Sequence, residues 1–177
     1  MASLAEISTE AEEIACKYNP DGLSPFPFEN ILQDKSDLKI LDSYKLPENV
    51  SGAIVLNNDV NKYLILVNKQ KPVTRQYFTT AHEIGHYFLH KEQIKSSNII
   101  VDYEDLLDSN SALFRADSIT TNQIEREANN FAAVLLMPEK LVRTVWAKLN
   151  NIEECAKVFN VSVIAMSIRL GKLGLAI

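Results

Sequence analysis

The amino-acid sequence predicts an α+β fold, mostly helical with one small β-sheet, and three observations support this prediction. Two β-rich apolar runs flank the turn-forming segment "NNDVNK", so residues 53–56 and 63–67 are expected to pair as a hairpin. Helical spacing of apolar residues begins at Thr74 and continues to about His90. A second helical pattern covers 120–138, where a threonine can cap the start and a Met-Pro pair marks the end.

The length and the charge distribution suggest two parts. A chain of 177 residues suits one domain with a small appendage, and we divide it into 1–137 and a C-terminal tail, 138–177. The tail carries six Lys and Arg against three Glu, a net charge of +3, whereas the whole chain has −5. The overall charge argues against a protein built to hold polyanions, and the asymmetry indicates a tail that contacts a partner.

The remaining segments are assigned from local pattern. Residues 3–18 have apolar positions at helical spacing and predict an amphipathic N-terminal helix, and a short helix is expected near Phe28–Gln33. Residues 38–48 fit no single element. Residues 91–120 are polar, acidic and weakly periodic, which indicates a loop with one short helix. The tail is predicted to contain a helix that begins at Pro138, followed by two more helices joined by a tight turn at Phe159–Val161.

The chain is expected to be cytoplasmic. Its acidic N-terminus lacks the pattern of a signal peptide. The longest clean apolar run, 131–137, is too short to span a bilayer, so we expect no membrane contact. Cys16 and Cys155 stand far apart without a Cys-x-x-Cys motif, as free thiols do in a reducing compartment.

All three histidines lie at four-residue intervals in one predicted helix, "RQYFTTAHEIGHYFLH". Residues four apart are about 6 Å apart along a helix axis and about 40° apart around it, so His82 and His86 can reach one metal ion. Glu83 points about 100° away, beside whatever the metal binds, where a carboxylate can take a proton from a water molecule. The pattern His-Glu-x-x-His therefore predicts a metal site with an adjacent base.

A catalytic zinc site needs three protein ligands, and the third is expected to be a carboxylate. His90 would lie about 12 Å along the axis from His82, so we assign it to the helix end or to the second shell. The later helix offers Glu125 and Glu127. Small residues beside Glu125 favour it, and Asn129 could then orient one of the histidines. Glu127 is interpreted as a solvated surface charge.

Two further groups of residues are noted without a catalytic assignment. One is an acidic stretch, interpreted as a solvated face, and the other is a set of candidate donors for a developing oxyanion, among which the sequence does not choose. The acidic stretch is Asp102, Glu104, Asp105 and Asp108, and the candidate donors are Tyr87, Tyr103 and Arg115.

At these motifs the sequence resembles the ImmA/IrrE family of bacterial metallopeptidases. The resemblance rests on "RQYFTTAHEIGHYFLH", followed about forty residues later by "EREANNFAAVLLMP", and on the preceding hairpin and the tail "AKVFNVSVIAMSIRLGKLGL". It covers roughly residues 50–177. The paired motifs carry most of its specificity, and the first fifty residues add little.

The resemblance implies a zincin-like metallopeptidase domain over 1–137. It further implies one Zn²⁺ ion held by His82, His86 and Glu125, with Glu83 as the catalytic base. Family members typically cleave a helix-turn-helix repressor, so the resemblance implies a cytoplasmic endopeptidase that relieves repression of mobile-element or stress genes. Some longer members carry a sensor domain after the tail, and we expect none in this chain.

The helix-turn-helix-like tail has two readings. From 162 to 170 it offers only Ser162, Ser167 and Arg169 among apolar residues, whereas a DNA-reading helix presents polar side chains to base edges. We therefore expect packing or repressor docking rather than sequence-specific DNA binding, although the +3 charge allows weak nucleic-acid contact. The alternative function is a non-proteolytic, zinc-containing regulatory module that binds a repressor or DNA; Glu83 favours the peptidase, because a purely structural site needs no base.

Overall fold

A computed structural model describes residues 3–103 and 118–175, with side chains of 3–102 and 123–175. It confirms the α+β class: the described residues contain eight helices and a four-stranded sheet. They fall into two compact units, Met1–Asp34 with Asn130–Ile177, and Lys35–Asn129. The predicted boundary between 137 and 138 remains a prediction.

The second unit is built on the sheet. Its strands are β1 (Leu38–Ser43), β2 (Val50–Asn57), β3 (Lys62–Asn68) and β4 (Ile99–Tyr103), in the order β1-β3-β2-β4. β2 and β3 form the predicted antiparallel hairpin, β1 pairs with β3 in parallel, and β4 pairs with β2 in antiparallel orientation. The hairpin prediction is confirmed.

The predicted hairpin and the predicted helix from Thr74 pack against each other. Helix α3 (Val73–Leu89) packs on β2 and β3, with Ile54, Ile65 and Ile84 fully buried between them. Pro72 precedes the helix, and the chain continues into the short helix α4 (Lys91–Ser97). The expectation of a loop with a short helix over 91–120 is right for α4 and wrong for β4; 104–117 lie outside the described residues.

The first unit is helical. It contains α1 (Leu4–Tyr18), α2 (Phe28–Asp34), α6 (Glu139–Leu149), α7 (Ile152–Phe159) and α8 (Val163–Lys172), and α5 (Ser118–Leu136) crosses the boundary between the units along the chain. Helix α1 begins with a capping box formed by Ser3 and Glu6. None of the helices in the described ranges combines the length and the apolar character needed to cross a membrane.

The predicted turn between α7 and α8 is present. Asn160 ends α7 in the left-handed backbone region, and the Ser162 hydroxyl accepts a hydrogen bond from the Ala165 amide to cap α8. Arg169 is buried: its Nε donates to the Met137 carbonyl at 2.9 Å, and its guanidinium pairs with Glu12 at 3.1 Å. Of the three polar residues that could have faced DNA, one is thus committed to the interior of its own unit.

Candidate metal centre

Helix α3 buries the two histidines of the His-Glu-x-x-His motif side by side. His82 is 1% exposed and His86 is fully buried, and their ring centroids lie 4.6 Å apart. Their Nε2 atoms are 3.0 Å apart, and both face Glu125. One helical turn thus brings two nitrogen donors together, as the four-residue spacing predicts.

Helix α5 brings a carboxylate to the same point. Glu125 is 4% exposed; its Oε2 lies 3.0 Å from His82 Nε2, and its Oε1 lies 3.4 Å from His86 Nε2. Ala128, one turn further along α5, is fully buried, which agrees with the small residues expected beside Glu125. Glu125, and not Glu127, is therefore the carboxylate that the structure brings to the two Nε2 atoms.

These three residues fit a tetrahedral metal ion. Ligand atoms bound to such an ion at 2.0–2.1 Å lie about 3.3 Å from one another. The separations of 3.0, 3.0 and 3.4 Å among the two Nε2 atoms and the Glu125 oxygens come close to that value.

The electrostatics of these three residues are consistent with a site for a cation. Burial lowers the pKa of His82, but the hydrogen bond and charge of Glu125 outweigh it and raise that pKa to about 9. Burial lowers the pKa of His86 to about 4. Burial would raise the pKa of Glu125, but the two imidazoles hold it well below its usual range. Glu125 is thus held in its charged form, the form in which a carboxylate binds a divalent cation.

Each histidine is also held from behind. His82 Nδ1 lies 3.0 Å from Asn129 Oδ1, and His86 Nδ1 lies 3.0 Å from His90 Nδ1. If the Nε2 atoms are kept for an ion, both Nδ1 atoms carry hydrogen and donate to these partners. Asn129 and His90 thus contact the nitrogen atoms of His82 and His86 that face away from Glu125.

The series of hydrogen-bonded side chains that begins at His86 includes two more residues than expected. His90 Nε2 lies 3.0 Å from Glu127 Oε2, and Gln123 Nε2 donates to Glu127 Oε1 at 2.8 Å. The side chain of Glu127 is only 13% exposed, so its interpretation as a solvated surface charge is wrong. The sequence spacing contained a signal, because Gln123 and Glu127 are four residues apart on α5, but a contact across helices could not be deduced from it.

Glu83 differs from its neighbours. It is fully buried, and neither of its oxygens has a hydrogen-bond partner among the described residues. Burial raises its pKa well above the usual range. It packs over Gly52 of β2, where an added Cβ would lie 3.3 Å from Glu83 Oε1 and 2.4 Å from Thr79 Cγ2. A glycine at this position thus lets α3 approach the strand.

Asp102 and Arg75 form a largely buried ion pair in this region that was not predicted from the sequence. Asp102, interpreted as part of a solvated face, is 5% exposed on β4, so that interpretation is wrong. An Arg75 guanidinium nitrogen lies 3.1 Å from Asp102 Oδ2. The burial of Asp102 depends on the pairing of β4 with β2, and no local pattern predicts that pairing.

The candidate oxyanion donors are only partly described. The Tyr87 hydroxyl donates to Asp37 Oδ1 at 2.7 Å, and Tyr87 is 1% exposed, so it is committed elsewhere in the unit. The Tyr103 side chain and Arg115 lie outside the described residues, as do Glu104, Asp105 and Asp108 of the acidic stretch.

Two histidines of one helix and a glutamate of another thus meet at one point in an α+β fold, an arrangement that could hold one divalent metal ion. The chain belongs to the ImmA/IrrE family of metallopeptidases, because the family model Peptidase_M78, described as the IrrE N-terminal-like domain, matches residues 34–171. That family implies a divalent metal, and His82, His86 and Glu125 are a candidate site for it.

Individual relatives agree with the family assignment. Metallopeptidase ImmA of Bacillus subtilis (strain 168) is 24% identical over 126 residues, which cover 70% of this chain and 64% of that protein. A solved structure, a Mycobacterium tuberculosis transcriptional regulator, matches with a TM-score of 0.63 and 14% identity, over 94% of this chain and 47% of that one. This chain therefore spans less than two thirds of either relative, and the second supports the fold alone.

Proposed function

We propose that this protein is a zinc-dependent endopeptidase, with His82, His86 and Glu125 as the metal ligands and Glu83 as the catalytic base. One observation carries the proposal: three buried donor atoms converge at separations that suit a tetrahedral ion, beside a buried carboxylate without hydrogen-bond partners among the described residues. Two imidazoles and one carboxylate are a common ligand set of catalytic zinc, which leaves a fourth position open.

In this mechanism the residues of the chain orient the reactants and move a proton. A zinc ion held there supplies Lewis acidity, which polarises the scissile carbonyl and lowers the pKa of a water molecule. Glu83 takes the proton of the attacking water and later gives it to the leaving amine. Burial raises the pKa of Glu83 above its usual range, which makes this carboxylate a stronger base for the first step.

Asn129 and His90 are proposed as positioning residues. Each accepts a hydrogen bond from the Nδ1 atom of one ligand histidine, which fixes the ring and its tautomer. Glu127 extends this support, since it is within hydrogen-bond distance of His90 Nε2. Such partners orient ligands and raise their basicity, and they do not touch the substrate.

The proposed substrate is a helix-turn-helix repressor in the cytoplasm, and its cleavage would relieve repression of mobile-element or stress genes. This part rests on membership in the ImmA/IrrE family and on the sequence resemblance. The tail supports docking rather than DNA reading. The exposed face of α8 presents Ile164, 73% exposed, and Ile168, 57% exposed, whereas Arg169 is turned inward.

The experiment is an incubation of the purified protein with a purified helix-turn-helix repressor from the same organism, with and without a chelator, followed by mass spectrometry of the repressor. Cleavage at one position that the chelator abolishes is the expected result. A stable complex with an intact repressor, in zinc-loaded protein, would instead support the non-proteolytic regulatory module.

A further inference from the structure

The metal centre contains a second set of potential ligands that shares one histidine with the first. His82, Glu83 and Asp102 are all buried, and one ligand atom from each lies within 4.8 Å of the others. Glu83 supplies two oxygens without a hydrogen-bond partner among the described residues. A cation therefore has two places to bind, one with His86 and Glu125 and the other with Glu83 and Asp102.

The two places exclude each other. Each imidazole nitrogen has one lone pair, and His82 directs Nε2 to Glu125 and Nδ1 to Asn129. His82 can thus serve only one ion at a time without losing the support of Asn129. An ion in the second place would also take Glu83 as a ligand, and a coordinated carboxylate cannot act as the base.

Arg75 forms an ion pair with Asp102. One guanidinium nitrogen lies 3.1 Å from Asp102 Oδ2, and Nε donates to the Ser51 hydroxyl at 3.0 Å. Ser51 is the extra residue where the pairing of β2 with β4 shifts register between Val50 and Gly52. The Arg75 and Asp102 side chains are 19% and 7% exposed, so the pair is largely shielded from water.

We infer that Arg75 is a positioning residue: by pairing with Asp102 it directs the ion to His82, His86 and Glu125 and keeps Glu83 uncoordinated. The inference rests on the ligand set of the proposed function. Its physical basis is that a buried carboxylate needs a positive partner. Arg75 supplies part of that charge, and a divalent cation is one group that can replace it when Arg75 is removed.

The test uses the nitrogen NMR signals of the imidazoles, which can be assigned because the chain has three histidines. The protein is labelled with ¹⁵N-histidine and titrated with Zn²⁺ alone. In the wild type, zinc should shift the Nε2 signals of both His82 and His86. In Arg75→Met, the His82 signal should still shift and the His86 shift should be lost.

The control is the double variant Arg75→Met with Asp102→Asn, which removes the competing carboxylate and should restore the His86 shift. Should Arg75→Met not fold, Arg75→Gln removes the charge but keeps a hydrogen-bond donor, and the same loss is expected. A His86 shift that persists in the folded single variants overturns the inference and leaves the proposed function intact. A loss that persists in the double variant also overturns it, since Arg75 would then only support the fold.

The same spectra separate this inference from the proposal on which it rests. If zinc leaves the His86 signal of the wild type unshifted, the ligand set of the proposed function is wrong, whatever the Arg75 variants do. Because zinc alone is the probe, no outcome depends on finding the substrate.

Discussion

The two sides of helix α3 at the metal centre are built differently. On the ligand side, each imidazole has a partner behind it: Asn129 for His82, and His90 for His86. On the sheet side, Glu83 is fully buried over Gly52 and has no hydrogen-bond partner among the described residues. One motif therefore contains two firmly held residues and one that is held only by packing.

This difference indicates which residue is free to act. Hydrogen bonds fix a ligand in one orientation, which a metal site requires. A base must exchange its proton, and a permanent hydrogen bond to the protein would compete with the reactants. A buried carboxylate without such bonds costs free energy of folding, of order 1–3 kcal/mol for an unsatisfied group. Burial without partners therefore suits a functional residue better than a structural one.

The strongest test of the contrast replaces Glu83 with glutamine. Peptide cleavage should fall by about 10²–10⁴-fold or more, because the general base is lost. Zinc content should stay the same, because no ligand changes, and the melting temperature should not fall, because a neutral amide replaces a buried acid. Cleavage assays, metal analysis and calorimetry check the three parts. A variant that still cleaves at the wild-type rate would remove Glu83 from the mechanism.

The next test compares the two glutamates of α5. Glu125→Ala removes a proposed ligand, so zinc affinity should fall by more than the 10–100-fold that is typical for loss of an outer-shell partner. Glu127→Ala removes only the support of His90 and should stay within or below that range. Competition titrations with a chelating dye measure both affinities. The reverse order would make Glu127 the ligand.

A smaller effect is expected from the residues behind the histidines. His90→Ala and Asn129→Ala should each weaken zinc binding by about 10–100-fold, because each leaves a ligand imidazole free to rotate. The matched control is Gln123→Ala. Gln123 contacts Glu127, which in turn contacts His90, so its loss should change zinc affinity least. Equal affinities for wild type and both inner variants would show that the ligand side is held by packing alone, as Glu83 is.

A further effect, on the free energy of unfolding rather than on zinc affinity, concerns pH in the chelated protein. The folded pKa of His82, about 9, exceeds its unfolded value of about 6.5, so the folded state holds a proton that the unfolded chain releases. Stability is therefore fully present below pH 6.5 and declines toward pH 9, by up to about 1.4 kcal/mol per pH unit for one proton. The raised pKa of Glu83 acts in the same direction.

Urea midpoints at pH 6.5 and 8.5, in chelator, test this dependence. The lowered pKa of His86, about 4, acts only below pH 6.5 and so does not interfere. Stability that is constant or increases across this interval would contradict the proton assigned to the ligand side.

The contrast also explains how far sequence reasoning could go. The hairpin, α3 and α5 follow from local periodicity, and the two histidines follow from the helical repeat, so all were predictable. The choice of Glu125 depended on small neighbours, which indicate close helix packing. By contrast, the parallel pairing of β1 with β3 and the addition of β4 beside β2 join distant segments, and no local pattern encodes them.

The residues missed from the sequence lie at such distant pairings. Asp102 looked like one acid among several, and only the position of β4 brings it to Glu83 and Arg75. The sequence pattern of Glu127 is that of a surface charge, but His90, at the end of α3, contacts it. Charged residues in polar segments are usually solvated, so the exceptions appear only once the tertiary fold is known.

Zinc binding by His82, His86 and Glu125 can be observed in an anomalous diffraction map at the zinc edge, from crystals of the zinc-loaded protein. We expect one peak within about 2.1 Å of His82 Nε2, His86 Nε2 and a Glu125 oxygen, with Glu83 outside the coordination sphere. A peak bound by Glu83 and Asp102, or by Glu127 in place of Glu125, would contradict this expectation.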